Sequence, residues 1–210
     1  MRYFKHILLV VFVAFGLING QSGKQSIWSE SNFSGLKFRS IGPAFMSGRI
    51  SDIAIHPDNE SVWYVTVGSG NVWKTTNAGV TWTPIFDDQP SYSIGCVTID
   101  PTNSNTIWIG TGENLGGRHF GYGDGVYKSE NGGKSWTNMG LKKSEHISEV
   151  LIHPNDPNTI WVASQGPMWS SGGERGVYKS TDGGKNWSLV LKSNKWTGAT
   201  ELKMDPRNPD

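Results

Sequence analysis

One hairpin-like segment recurs three times in this chain, at residues 72–82 (VWKTTNAGVTW), 126–136 (VYKSENGGKSW) and 177–187 (VYKSTDGGKNW). The closing tryptophans, Trp82, Trp136 and Trp187, stand 54 and 51 residues apart. A period of that size demands stacked four-stranded blades or solenoid units, because a repeat this short cannot bury an apolar face alone and must lean on its neighbours.

A second phrase precedes each hairpin: an apolar strand, a His or Asp, a Pro and a polar turn. It reads Ile53-Ala54-Ile55-His56-Pro57, Val97-Thr98-Ile99-Asp100-Pro101, Leu151-Ile152-His153-Pro154 and, a fourth time, Leu202-Lys203-Met204-Asp205-Pro206. The first three copies run on into β-branched and aromatic segments, Val62-Trp63-Tyr64-Val65, Thr106-Ile107-Trp108-Ile109 and Thr159-Ile160-Trp161-Val162. Each unit is therefore four strands: A ends at the Pro, which cannot donate a ladder hydrogen bond, B carries the Trp, C is the Val-aromatic-Lys segment and D begins at the closing Trp. No segment has a helical period, and 27 Gly and 10 Trp among 210 residues suit short strands and tight turns. The expected class is all-β, with units at about 50–93, 94–146 and 147–198 and a fourth cut off at 210. Three blades and an orphan strand cannot close a ring, so the remaining blades of a longer chain are expected partners.

Residues 1–20 read as a secretory signal peptide, with Arg2 and Lys5 ahead of an apolar run, 7–18, too short to span a bilayer. Residues 21–35 read as a polar linker, and 36–210 as a partial propeller with a leading strand at 36–41. The implied location is secreted, periplasmic or at the cell surface, with no membrane span after signal removal. A formal net charge of +1 supplies no field for nucleic acid. Cys96 is the one cysteine, so no intrachain disulfide forms, and it reads as a small buried hydrophobe.

The hairpins fit Ser/Thr-x-Asp/Asn-x-Gly-x-Thr/Ser-Trp: Thr75, Asn77, Gly79 and Trp82; Ser129, Asn131, Gly133 and Trp136; Ser180, Asp182, Gly184 and Trp187, with Asn186 in place of the last hydroxyl. Short polar side chains bond turn amides, Gly accepts positive φ and Trp buries a large area, so these demands are structural. The pattern resembles the Asp-box, or bacterial neuraminidase repeat, of sialidases, sortilins, photosystem assembly factors and xyloglucan-cleaving propellers. The phrases at 41–50 and 110–114 resemble exported bacterial proteins with sortilin-type propellers, often labelled glycosyl hydrolases. The resemblance implies a sortilin-like β-propeller whose boxes lie away from any pocket, so that Asp182 is no catalytic acid. Xyloglucan-cleaving propellers carry an aspartate after strand B of an early blade, where this chain has Gly68-Ser69-Gly70, and the arginine motif of sialidases is matched at 38–43 only with two extra residues.

Comparison among the repeats stands in for an alignment. His56 and His153 share their position with Asp100 and Asp205, so that position serves the turn rather than a metal, and no metal or cofactor is expected. The B-to-C connections differ most, stepping 7, 17 and 15 residues from Val65 to Val72, Ile109 to Val126 and Val162 to Val177. Adjacent loops on one face are where propellers build ligand sites. The first insertion holds Glu113, Asn114, Arg118, His119, Tyr122 and Asp124; the second holds Gln165, Met168, Trp169, Glu174 and Arg175. Glu113 with Asp124, or with Glu174, is a candidate acid–base pair for glycoside hydrolysis, which needs carboxyl groups about 5–10 Å apart. Arg118, His119, Tyr122, Trp169, Glu174 and Arg175 are candidate ligand contacts. The expectation is a loop face that binds a glycan or peptide; the alternatives are a glycosidase and a non-catalytic scaffold.

Overall fold

The computed structural model describes residues 48–114, 121–205 and 207–209. The expected signal peptide, linker and leading strand, and the candidates Arg118 and His119, lie outside the described residues. Twelve strands form three antiparallel four-stranded sheets, each a simple meander. The first holds β1 (Ile50–Ile55), β2 (Trp63–Val67), β3 (Asn71–Thr75) and β4 (Thr83–Pro84); the second holds β5 (Ile94–Asp100), β6 (Asn103–Thr111), β7 (Val126–Ser129) and β8 (Thr137–Asn138). The third holds β9 (Ile147–His153), β10 (Asp156–Ser164), β11 (Gly176–Ser180) and β12 (Ser188–Leu191). The first strands of the sheets lie side by side, β1 against β5 and β5 against β9, which is the blade order of a β-propeller with strand A innermost.

Meander topology assigns the connections to two edges. Strands A and C run one way and B and D the other, so A–B turns and C–D hairpins leave one edge while B–C and D–A connections leave the opposite edge. The three Asp-boxes sit on the first edge and both insertions on the second.

The core lies between blades. Alternation on strand A sends Val97 toward the first blade, with Tyr64, Val72, Phe86 and Tyr127, while Cys96 faces the third, with Trp108, Val150, Ile160 and Val162. Cys96 is buried, as its strand context predicts, and burial first of all, then Asp52 and Glu149, pushes its thiol well above the usual range. Facing side chains are cross-linked as well: Asp52 accepts the Val97 amide at 2.9 Å, and the Thr98 hydroxyl donates to the Val150 carbonyl at 2.6 Å.

Each box closes through its own side chains. Thr75 Oγ1 accepts the Gly79 amide and Asn77 Oδ1 the Thr81 amide, at 2.9 and 2.8 Å. Ser129 with Gly133 and Ser180 with Gly184 repeat the first bond at 2.9 Å. The third box shows why its last hydroxyl is absent: the Asn77 and Asn131 side chains donate to Thr81 and Ser135, whereas the Asp182 carboxylate has no proton to donate and instead accepts from Asn186 Nδ2 at 2.7 Å. That bond, the Asn186 amide and Ser180 hold the Asp182 carboxyl down at about 2. The box also docks on the blade before it. Trp136 donates its indole N–H to the Ile85 carbonyl and Trp187 to the Met139 carbonyl, both at 2.7 Å.

One expected strand is missing. Leu202–Met204 carries the strand A pattern, yet 201–205 is irregular. In the other units strand A is held by its own strand B, as β1 is by β2, and no strand B follows the fourth copy within the 210 residues to pair with its amides.

Candidate functional site

The loop edge is assembled from the C-terminal ends of β2, β6 and β10 and the residues entering β1, β5 and β9. Glu113, two residues past β6, turns inward: its side chain is fully buried and pairs with Arg49, which stands before β1. It fills the space above Gly68, where a Cβ would stand 2.8 Å from the Glu113 carboxyl carbon. The position after strand B of the first blade thus has no acid of its own, and the acid of the next blade leans over it. Glu113 also holds backbone together: its amide donates to the Gly121 carbonyl and its carbonyl meets His146 Nδ1, each at 3.0 Å. Its second carboxylate oxygen is buried with no hydrogen-bond partner.

The other candidate acids go elsewhere. Asp124 Oδ2 accepts the Tyr127 hydroxyl at 2.7 Å within its own blade, and burial together with Asp124 pushes that phenol up to about 12. Glu174 Oε2 accepts the Lys143 amide at 2.7 Å, tying the second insertion to the loop before β9. No hydrogen bond or ion pair joins any two of the three carboxylates among the described residues.

Arg175 is buried and donates all five of its N–H groups to carbonyls of its surroundings: Gly172 and Gln165 at 2.8 Å, Trp196 at 3.2 Å, Ser170 at 2.6 Å, and Pro167. A guanidinium has five donors in a fixed fork, so none remains for a ligand. Arg175 is the post around which the second insertion and the 192–199 connection are wound.

Aromatic side chains are what this edge offers to solvent. Among the described residues, the aromatic side chains more than half exposed are Tyr92 (59 %), Tyr122 (74 %), Trp169 (82 %) and Trp196 (60 %). All four sit on B–C or D–A connections, hence on the loop edge. Sequence comparison singles out Tyr122 and Trp169 because the B–C insertions differ in length; Tyr92 and Trp196 lie on D–A connections, and the signal that would have found them is the shared edge imposed by the meander. Tyr92 lies against the backbone just before Tyr122, since a Cβ on Gly121 would stand 3.5 Å from the Tyr92 hydroxyl. Ser93 sits at that junction, its one hydroxyl proton within hydrogen-bond reach of the carbonyls of both Gly68 and Gly121.

Residues 70–209 match the family model described as sortilin, neurotensin receptor 3. The chain belongs to the Sortilin-Vps10 family. Curated relatives include a xyloglucanase of Hypocrea jecorina, 30 % identical over an alignment covering 92 % of this chain and 25 % of that protein. Another is an oligoxyloglucan-reducing end-specific xyloglucanase of Emericella nidulans, 21 % identical, covering 79 % of this chain and 19 % of that protein. The chain thus spans about a fifth to a quarter of the length of these relatives. Among solved structures, an ancestral GH74 enzyme superposes with a TM-score of 0.52 at 25 % identity, over 70 % of this chain and 19 % of that one. The GH74 xyloglucanase from Xanthomonas campestris also gives 0.52, at 19 % identity over 72 % of this chain and 22 % of that one, a likeness of fold. The Sortilin-Vps10 match takes in the three boxes, both insertions and Arg175, and leaves Arg49 outside it.

His146 gives the loop edge of this Sortilin-Vps10 domain a pH response. Burial pushes its pKa below 6.5, with the nearby Arg175 adding to the shift and the hydrogen bond to the Glu113 carbonyl opposing it. The unfolded chain takes up a proton near 6.5 that the folded chain refuses, so His146's contribution is complete above that value and is lost as pH falls toward the lowered folded value. Glu149, raised by burial, acts in the opposite sense at lower pH. The urea midpoint is expected to fall between about pH 7.5 and 5.5, and the fall to be shallower in His146→Asn. Equal slopes for the two proteins would rule out this assignment.

Proposed function

We propose that the chain is part of an exported propeller whose loop edge binds a polysaccharide, with Tyr92, Tyr122, Trp169 and Trp196 as stacking platforms for sugar rings. The observation that carries this reading is the gathering of the exposed aromatic rings on one edge. A pyranose face is apolar and its hydroxyls are polar, so a wet edge lined with aromatic rings fits it better than a peptide, which would call for an open strand edge or a pocket. The kinship with xyloglucanases makes xyloglucan the first ligand to test, and it supports an extracellular setting.

Glu113, Asp124, Glu174 and Arg175 hold the loops in this proposal. Each has a partner within the fold, and a general acid must instead reach the glycosidic oxygen. Binding, with any turnover depending on further blades, is the role assigned to this segment.

Affinity electrophoresis in gels containing xyloglucan is expected to retard the chain. Trp169→Ala, whose ring is 82 % exposed, should weaken retardation several-fold without changing the melting temperature. Equal mobility with and without polysaccharide would refute the proposal. Retention by xyloglucan that Trp169→Ala and Tyr122→Ala both leave intact would move the site off these rings.

A further inference from the structure

Charge is unevenly spread over the loop edge. Three of its connections belong to the third-blade end: 139–146 between β8 and β9, 165–175 between β10 and β11, and 192–199 after β12. Together they carry Lys142, Lys143, Arg175, Lys192 and Lys195, five cations, against the two carboxylates of Glu145 and Glu174. That is a net of +3, in a chain whose formal net charge is +1. The first-blade end has the other sign: residues 85–93, which lead to β5 and hold Tyr92, carry Asp87 and Asp88 and no cation.

Hydrogen bonds knit the three cationic connections around the loop that presents Trp169. The Lys143 amide donates to Glu174 Oε2 at 2.7 Å, and the Glu174 amide donates back to the Lys143 carbonyl at 3.1 Å. Two residues earlier, the Gly172 amide donates to the Lys195 carbonyl at 2.8 Å. Arg175 reaches the Trp196 carbonyl from beneath, and Asn194 Oδ1 fixes the turn there by accepting the amides of Trp196 and Thr197 at 2.7 and 3.1 Å. Lys143 and Lys195 are thus both anchored by their main chains against the Trp169 loop, and Trp196 follows Lys195 directly.

Their ammonium groups take no part in this anchoring. Lys142, Lys143, Lys192 and Lys195 are exposed, and among the described residues no ion pair or hydrogen bond engages their Nζ atoms. Arg175 is satisfied by carbonyls, which leave its charge uncancelled. Like charges gathered without counter-charges repel one another and concentrate anions at the surface. The rings at their centre supply stacking, so the patch combines two separable attractions.

Building on the reading of this edge as a polysaccharide site, we infer that its ligand is an anionic polysaccharide. Its carboxylate or sulfate groups meet Lys143 and Lys195 while its sugar rings stack on Trp169 and Trp196, and its charged stretch lies over the third blade, away from Asp87 and Asp88. A single-stranded nucleic acid also offers flat faces and negative charge. It carries a phosphate at every nucleotide, however, and is held by a positive groove that tracks its backbone; the two aspartates break such a track on the connection that holds Tyr92. A polysaccharide charged over only part of its length meets no such penalty.

Titrations of the 210-residue chain, followed by tryptophan fluorescence, can compare three polymers on one glucan backbone: hydroxyethyl cellulose, carboxymethyl cellulose and cellulose sulfate. At low salt at least one charged polymer is expected to bind several-fold more tightly than the neutral one, the better of the two naming the anionic group, and high salt should erase the advantage. Lys143→Glu combined with Lys195→Glu should also erase it, with the melting temperature and the affinity for hydroxyethyl cellulose unchanged. Lys134→Glu combined with Lys185→Glu, the same change of charge on the Asp-box edge, should leave the advantage in place. Trp169→Ala should weaken binding of every polymer that binds. Equal affinities for all three polymers, lowered by Trp169→Ala, would overturn the inference and leave the polysaccharide reading standing, whereas no binding to any of them would refute both. An advantage lost equally in the two charge-reversed proteins would show a general attraction rather than a site. Tighter binding of a thymidine oligonucleotide than of either charged polymer would give the surface to nucleic acid instead.

Discussion

Trp108→Ala is expected to be among the most destabilising single substitutions in this chain, lowering the free energy of unfolding by about 3–5 kcal/mol. The ring is fully buried at the junction of the second and third blades, with the Gly184 turn on one side and Lys128 over its face. The turn is rigid backbone at positive φ and cannot follow the retreating side chain, so a cavity remains. Because each blade contacts only its neighbours, the loss should be local first. Amide exchange in β9 to β11 should accelerate far more than in β1 to β3, alongside a fall in the urea midpoint. Uniform acceleration across all three blades would show that the junction is not the weak point and would refute the inter-blade account.

Arg175→Met should act on function rather than on the whole fold. The side chain is similar in length and apolar, yet it leaves five carbonyls without their donor, each bond to a charged group contributing about 1.5–3 kcal/mol in favourable cases. The expected result is proteolytic cleavage within 166–174 under conditions that spare the parent, with xyloglucan affinity down about tenfold, or 1.4 kcal/mol, because Trp169 loses its fixed position. Arg175→Lys, with a compact ammonium instead of the fork, should fail to restore the loop. A stable, protease-resistant Arg175→Met with unchanged binding would show that the carbonyl cage is incidental.

How much of this was legible in the sequence differs from residue to residue. The boxes were legible because their chemistry is local: a hydroxyl, a carboxamide or carboxylate and a glycine within five residues close the turn wherever the chain goes. The strands were legible because β-branched and aromatic runs end at His-Pro or Asp-Pro. The roles of Glu113 and Arg175 were not legible. Both stand in the longest insertions, where a charged residue reads as a ligand contact, and only the fold decides whether it faces solvent. Glu113 is turned inward because Gly68 of the preceding blade leaves room for it and Arg49 meets it there. Arg175 is turned inward because its own loop curls its carbonyls around it.

The sequence by itself determined the repeat, the order of strands within each unit and the edge on which the boxes and insertions emerge, since all three follow from short-range hydrogen bonding and the alternation of a meander. Tertiary structure alone decided which side chains of those insertions turn inward and which rings face water, and it showed that the second and third boxes each dock on the blade before them. Burial and pairing across blades depend on contacts some 50 residues apart along the chain, such as those of Lys74 with Gly132 and of Trp187 with Met139, and no local pattern encodes them.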